Sequence, residues 1–152
     1  MNDEEYMRIA FLEALKASKE DEVPVGAIIV KDGVIIGKGY NHREKGNDIS
    51  SHAEIEAIKD AEAYLNNWRL DGCSLYVTLE PCLMCSGAIL QARISKLVFA
   101  SKDKKDGAVI SNYYVFDSPS IHERPLVYFG ILENECDSLL KGFFEKKRKS
   151  ND

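Results

Sequence analysis

The sequence predicts a layered α/β domain built on a mixed sheet, and three observations lead there. Strand-like apolar runs alternate with stretches of helical period beyond residue 51, the pattern of strands joined by crossover helices. Ahead of them Asp32-Gly33 stands between two apolar runs, a hairpin signal that makes the first two strands antiparallel. The chain has 152 residues, which suits one domain, since a chain of about that length buries roughly 68–70% of its unfolded surface. We expect a single domain over residues 1–152 with a basic C-terminal helix from about residue 131.

Taken in order, Asn2 is placed to cap a first helix and Glu5 to reach back as in a capping box. Met7, Phe11, Ala14 and Leu15 then recur at helical spacing through about Ser18. Val25 to Val30 reads as a buried strand, Lys31-Asp32-Gly33 as the turn and Val34 to Tyr40 as the returning strand. Asn41 to Ser50 is a polar loop. Ser51 opens a second helix through about Leu65, and Ser74 to Leu79 is a strand after the Asp71-Gly72 turn. Pro81 suits the first turn of a third helix over residues 82–92, where its missing N–H has no partner to lose. Lys96 to Ala100 is a fourth strand, Ser101 to Gly107 a charged loop, and residues 108–125 are irregular. Leu126 to Phe129 forms a short last strand and Ile131 to Lys147 an amphipathic helix.

Composition excludes more than it assigns. Apolar residues make up 45%, charged residues 30%, and the net charge is −5, so nothing in the totals advertises nucleic acid or membrane. Local charge differs: residues 93–105 and residues 141–149 each carry five bases against one acid, and net charge does not say where a patch sits. The longest charge-free run near the N-terminus, Val23 to Val30, falls far short of the roughly 20 apolar residues of a spanning helix. Asp3, Glu4 and Glu5 stand where a signal peptide would be basic. Four cysteines, two of them in a C-x-x-C, suit reduced thiols. The expected location is the cytoplasm.

The chemistry gathers in Ser51-His52-Ala53-Glu54 and, thirty residues on, Glu80-Pro81-Cys82-Leu83-Met84-Cys85. His52, Cys82 and Cys85 are three zinc donors. A structural zinc normally has four protein ligands, whereas a catalytic one keeps a position for water or substrate, so the set points to hydrolysis at a metal. Two thiolates weaken the ion as a Lewis acid, which makes a nearby base useful. Glu54 is not needed as a ligand and is assigned as the group that takes the water proton and hands it on to the substrate nitrogen and leaving group. Both motifs fall at helix N-termini, where free N–H groups favour thiolates.

Each residue has a plainer reading. Ser51 and Glu54 are spaced as a capping box, Cys82 and Cys85 could be small buried residues on one helix, and His52 could be a loop-edge histidine. Together those readings require three coincidences at two helix starts. His42 and His122 have no partner at ligand spacing and read as surface or substrate-loop residues; Cys73 and Cys136 read as core thiols.

His-Ala-Glu followed by Pro-Cys-x-x-Cys is the signature of the zinc nucleobase deaminases. Val23-Pro24-Val25-Gly26-Ala27, Gly39-Tyr40-Asn41, the whole of Leu75 to Ala88, and Phe143-Phe144 beside a basic tail extend the match over nearly the full chain. The sequence resembles the bacterial tRNA-specific adenosine deaminases (the TadA type) of the cytidine/deoxycytidylate deaminase superfamily. The resemblance implies a three-layer α/β/α sandwich with a mixed five-stranded sheet and helices on both faces. It implies hydrolytic conversion of adenosine to inosine at the wobble position of a tRNA anticodon, one zinc per subunit and a homodimer. It makes His52, Cys82 and Cys85 the ligands and Glu54 the proton shuttle. Asn41 and the Ala53 backbone then hold the flipped-out purine, walled by Pro24 and Val25. Asp103 and Lys105 contact flanking nucleotides, and Phe143, Phe144 and Arg148 lie beside the anticodon loop. Asp48-Ile49-Ser50-Ser51 departs from the Asp-Pro-Thr-Ala common in the family, and Asn112 to Tyr128 diverges more.

These roles agree with general physics. A base must leave its stack before it can react, which costs least in a single-stranded loop, and RNA loops are bound by aromatic stacking and basic contacts to phosphate. Two phenylalanines beside Lys146, Lys147, Arg148 and Lys149 supply that combination; a solvated helix end is the plainer alternative. Two other functions share the motifs: a free-base or nucleotide deaminase of guanine or cytosine type, for which basic patches have no use, and a non-catalytic RNA-binding zinc domain.

Overall fold

In the computed structural model, which describes residues 1–151, the N-terminal capping box forms as the sequence predicts. The Asn2 side chain accepts from the Glu5 amide at 2.9 Å, and Glu5 Oε1 accepts from the Asn2 amide at 3.4 Å. They start α1 (Asp3–Lys19), which buries Tyr6, Met7 and Ala10. Strands β1 (Gly26–Lys31) and β2 (Val34–Tyr40) form the antiparallel hairpin. Asp32 and Gly33 have φ of 49° and 77°, the left-handed pair that a tight turn between twisted strands requires.

Next come α2 (Ala53–Leu65), β3 (Ser74–Leu79), α3 (Leu83–Ala92), β4 (Lys96–Ser101), β5 (Leu126–Phe129) and α4 (Glu133–Asn151). The strand order is β2-β1-β3-β4-β5. β1 pairs antiparallel with β2 and β3, while β3, β4 and β5 run parallel. Side-chain alternation then separates two cores. Ala27, Ile29, Leu75, Val77, Leu97 and Phe99 face α2 and α3, whereas Ile28, Val30, Tyr76, Val98 and Ala100 face α1 and Cys136 of α4. The result is the three-layer sandwich with helices on both faces. Residues 108–125 are irregular apart from one 3₁₀ turn, Val115–Asp117.

Two details differ from the expected helix starts, and both concern the motifs. α2 begins at Ala53 with His52 as its cap, so the third helical residue is Ile55 and the Ser51–Glu54 capping box does not form. α3 begins at Leu83 with Cys82 as its cap, which puts Pro81 outside the helix. In each case the chain stays extended one residue longer than its polar or proline signal suggests, since His52 and Cys82 both have extended backbone.

One contact brings α2 close to the sheet. A Cβ on Gly39 would stand 2.5 Å from Ala53 O and 2.6 Å from Ala57 N, so only glycine in β2 lets the first turns of α2 lie against the strand. The directions of the strands finish the arrangement. The start of β1, the end of β2 and the end of β3 lie at one end of the sheet, where pairing switches from antiparallel to parallel between β1 and β4. A crevice at the carboxyl ends of strands beside such a switch is where open α/β sheets take ligands.

Candidate active site

His52 and Cys82 are helix caps whose side chains make no capping hydrogen bond, so both are free to turn toward each other. His52 Nδ1 lies 3.6 Å from Cys82 Sγ and 3.5 Å from Cys85 Sγ, and the three donor atoms all fall within 4.8 Å of one another. A tetrahedral zinc, with Zn–S near 2.3 Å and Zn–N near 2.0–2.1 Å, sets S···N at about 3.6 Å. The donor set fits zinc. Its protonation agrees. Cys85 donates to Cys82 and His52 lies on its other side, which together draw the Cys82 thiol down to about 4. Cys85, bonded to that thiolate and buried, is pushed up. The Cys82 contact raises the His52 imidazole against the opposing effect of burial. The pair of thiols shares a proton that a divalent ion would displace.

Glu54 sits in the first turn of α2, 4% exposed. Burial pushes its carboxyl up to about 7, with the Cys82 thiolate adding to the effect. A carboxyl poised there can both accept and return a proton at neutral pH, the property a general acid–base needs.

His52, Glu54 and Cys82 line a cavity of about 1070 Å³. Of the residues that the sequence assigns to substrate, Val25, Asn41, Ala53, Asp103, Lys105 and Phe144 line it as well. Asn41 is held in place by Nδ2, which donates to Val23 O at 3.3 Å. Asp103 uses Oδ1 on the amides of Lys105 and Asp106, so it shapes its own loop. Pro24 is buried behind the wall. Phe143 lies outside the cavity, edge-on to Phe144 at 5.4 Å and beneath Lys147 at 5.8 Å. Along α4 the residues on the cavity are Asp137, Leu140, Lys141 and Phe144, one helical stripe; Arg148 continues it a turn beyond the edge. Lys147 instead pairs with Asp21 at 2.5 Å, which ties α4 to the end of α1.

Sequence reasoning missed the buried carboxylates that shape the walls. Glu22, 2% exposed, accepts from the amides of Glu44 and Lys45 at 3.0 and 2.7 Å and so holds the loop that carries Arg43 into the cavity. Glu80 does the same for the loop after β4. Burial works against its ionisation, but the Ser111 hydroxyl and several backbone amides outweigh it and hold it below the usual carboxylate range. The available signal was an acid bordering an apolar run, Glu22 ahead of Val23-Pro24-Val25 and Glu80 directly after Leu79. On the rim, Arg43, Lys102, Lys104, Lys105 and Lys141 face Glu44, Asp103, Asp106 and Asp137, while Glu22 spends both its oxygens on backbone amides.

Residues 1–101 match the cytidine and deoxycytidylate deaminase zinc-binding region. The chain is 46% identical over 150 residues to the tRNA-specific adenosine deaminase of Aquifex aeolicus, covering 99% of each. It superposes with a TM-score of 0.87 and 44% identity on a structure solved in a study of A-to-I editing by tRNA:A34 deaminases at the wobble position, covering 90% of this chain and 99% of that one. Guanine deaminase from Bacillus subtilis is more distant, at 32% identity and a TM-score of 0.67 over 98% of this chain and 95% of that one.

Proposed function

The chain belongs to the cytidine and deoxycytidylate deaminase family, and from that premise we propose that it is a zinc-dependent hydrolase that deaminates adenosine to inosine at the wobble position of a tRNA anticodon. Near-identity of length with the tRNA-specific adenosine deaminase at 46% identity supports the substrate class. The observation that carries the chemistry is a three-donor metal site with a buried carboxyl beside it at the floor of one cavity.

His52, Cys82 and Cys85 would hold the zinc, which when bound lowers the pKa of water and so supplies a nucleophile at neutral pH. The chain's own groups do the rest. Asn41 and the backbone of Ala53 hold the extruded purine against Val25. Glu54 takes one proton as water adds to carbon 6 and passes it to the ring nitrogen, then takes the proton of the new hydroxyl and passes it to the leaving amine. The C–N bond breaks, ammonia departs, and inosine remains. Lys102, Lys104, Lys105 and Lys141 attract the RNA backbone, and Phe144 offers a ring for a neighbouring base to stack on. Arg148 and Phe143 extend that surface past the cavity.

The whole of residues 1–152 acts as one deaminase domain, and two copies form a homodimer. Exposed apolar side chains support this, Trp68 just beyond α2 and Leu83 and Met84 in the first turn of α3 at the cavity. A molecular mass of two chains in solution is the expected measurement. The site of action is the cytoplasm, where tRNA is available; no helix among the described residues is long and apolar enough to cross a membrane.

The deciding experiment offers an anticodon stem-loop with adenosine at the wobble position against free guanine, cytosine and adenosine. Inosine in the RNA alone is the expected result. Turnover of guanine alone would replace this reading with the free-base one, which the likeness to the Bacillus subtilis guanine deaminase favours.

A further inference from the structure

Strand β3 delivers the chain to Glu80, a carboxylate that the reaction above does not use. It is 2% exposed, and among the described residues no lysine, arginine or histidine lies within ion-pair distance of it. One loop satisfies its charge instead. Oε1 accepts from the Asp103 amide at 3.1 Å and the Ser111 hydroxyl at 2.5 Å. Oε2 accepts from the amides of Val109, Ile110 and Ser111 at 3.1, 2.9 and 3.0 Å. Gly107 presses on the same group, since a Cβ there would stand 2.5 Å from Oε1.

The loop these anchors hold carries Lys104 and Lys105, with Lys102 immediately before it, along one wall of the cavity. On the other side of Glu80 in the chain come Pro81, whose carbonyl accepts the Ala108 amide at 2.9 Å, and then the metal ligand Cys82. The donors that converge on Glu80 therefore span the distance between the floor of the site and its cationic wall. We propose that Glu80 is a positioning residue for the RNA substrate: its carboxylate holds the loop of residues 101–111 so that the three lysines stand ready at a fixed distance from the reacting base. Its loss weakens substrate capture and leaves the chemical step intact. The proposal rests on the RNA reading above.

The physical reason is preorganisation. A loop already folded around a buried anion has no ordering left to do when a polyanion binds. The amide isostere is a sharp probe, because Glu80→Gln keeps size and shape but replaces an acceptor oxygen with an NH₂ that faces backbone donors.

The experiment measures kcat and KM on the stem-loop, zinc content, and amide hydrogen exchange for wild type, Glu80→Gln and Ser111→Ala. Glu80→Gln should raise KM about tenfold with kcat within about twofold, the mark of lost binding that is uniform along the reaction. Zinc should be retained, and the Val109, Ile110 and Ser111 amides should exchange faster. Ser111→Ala removes one of the five bonds and should shift KM the same way by about threefold. Proportional loss of zinc and kcat would overturn the proposal, since Glu80 would then support only the ligand helix. Unchanged KM, or amides that stay protected, would also overturn it. Wild-type turnover of the stem-loop tests the substrate reading separately, and the exchange arm tests loop-holding with no substrate present.

Discussion

Glu54 at the start of α2 and Glu80 at the end of β3 are the same residue type at similar burial, 4% and 2% exposed, and their carboxyls are driven in opposite directions. Burial raises Glu54 to about 7, where it can exchange a proton. Burial also works against the ionised form of Glu80, yet a hydroxyl and converging backbone amides hold it below the usual range, and it is a fixed anion. Burial by itself therefore does not set the role of an acid; the donors around it do. One carboxyl is suited to proton exchange because its environment leaves it close to balance, and the other is suited to holding a loop because its environment does not.

The largest effect expected is that of metal removal, which leaves both carboxyls in place. Dialysis against a chelator should abolish deamination, and added zinc should restore it; activity that survives would break the assignment of His52, Cys82 and Cys85. Next comes Glu54→Gln, expected to lower kcat by about 10²–10⁴-fold, the range for loss of general acid–base catalysis. Zinc content should not change, and a variant retaining a tenth of the activity would end the shuttle role.

Stability should separate the pair in the reverse order. Glu80→Gln strands buried donors and should cost about 1–3 kcal/mol in urea unfolding. Glu54→Gln removes an acid that burial disfavours and should be neutral or stabilising, as expected where function is held at a cost in stability.

The smallest effect lies on the opposite face of the sheet. Asp3 accepts from Tyr76 Oη at 2.6 Å and from Lys96 Nζ at 2.9 Å. Burial opposes its ionisation, but these two donors prevail and its pKa falls below the ordinary 3.8. A depressed carboxylate stabilises the fold above its unfolded pKa, and that contribution is lost as pH falls through the folded value. Asp3→Asn should thus cost about 1 kcal/mol at pH 7, and the difference in urea midpoints should shrink at pH 3. KM for RNA should stay the same, which would confine loop control to Glu80.

The order of helices and strands was legible in the chain, because capping, hairpin and alternation signals are local. Asn2 with Glu5, and Asp32 with Gly33, behave as their spacing predicts. The missed details were of another kind. The capping-box spacing of Ser51 and Glu54 looked complete, yet the chain stays extended through His52, which caps α2, and Glu54 lines the cavity. The aromatic pair on α4 was visible as a pair, but only the way the helix packs selects Phe144 and turns Phe143 aside.

By itself, then, the sequence marked the candidate metal donors and the acid near His52, because C-x-x-C and His-x-Glu each place their own pair within one helical turn. The meeting of the two pairs, 30 residues apart, was left to the fold. The tertiary structure alone decided what Glu80 holds and which side of α4 meets the cavity. Glu80 and Ser111 are 31 residues apart. Their meeting depends on β3 and β4 lying side by side and on the loop after β4 folding back, and no periodicity along the chain records that.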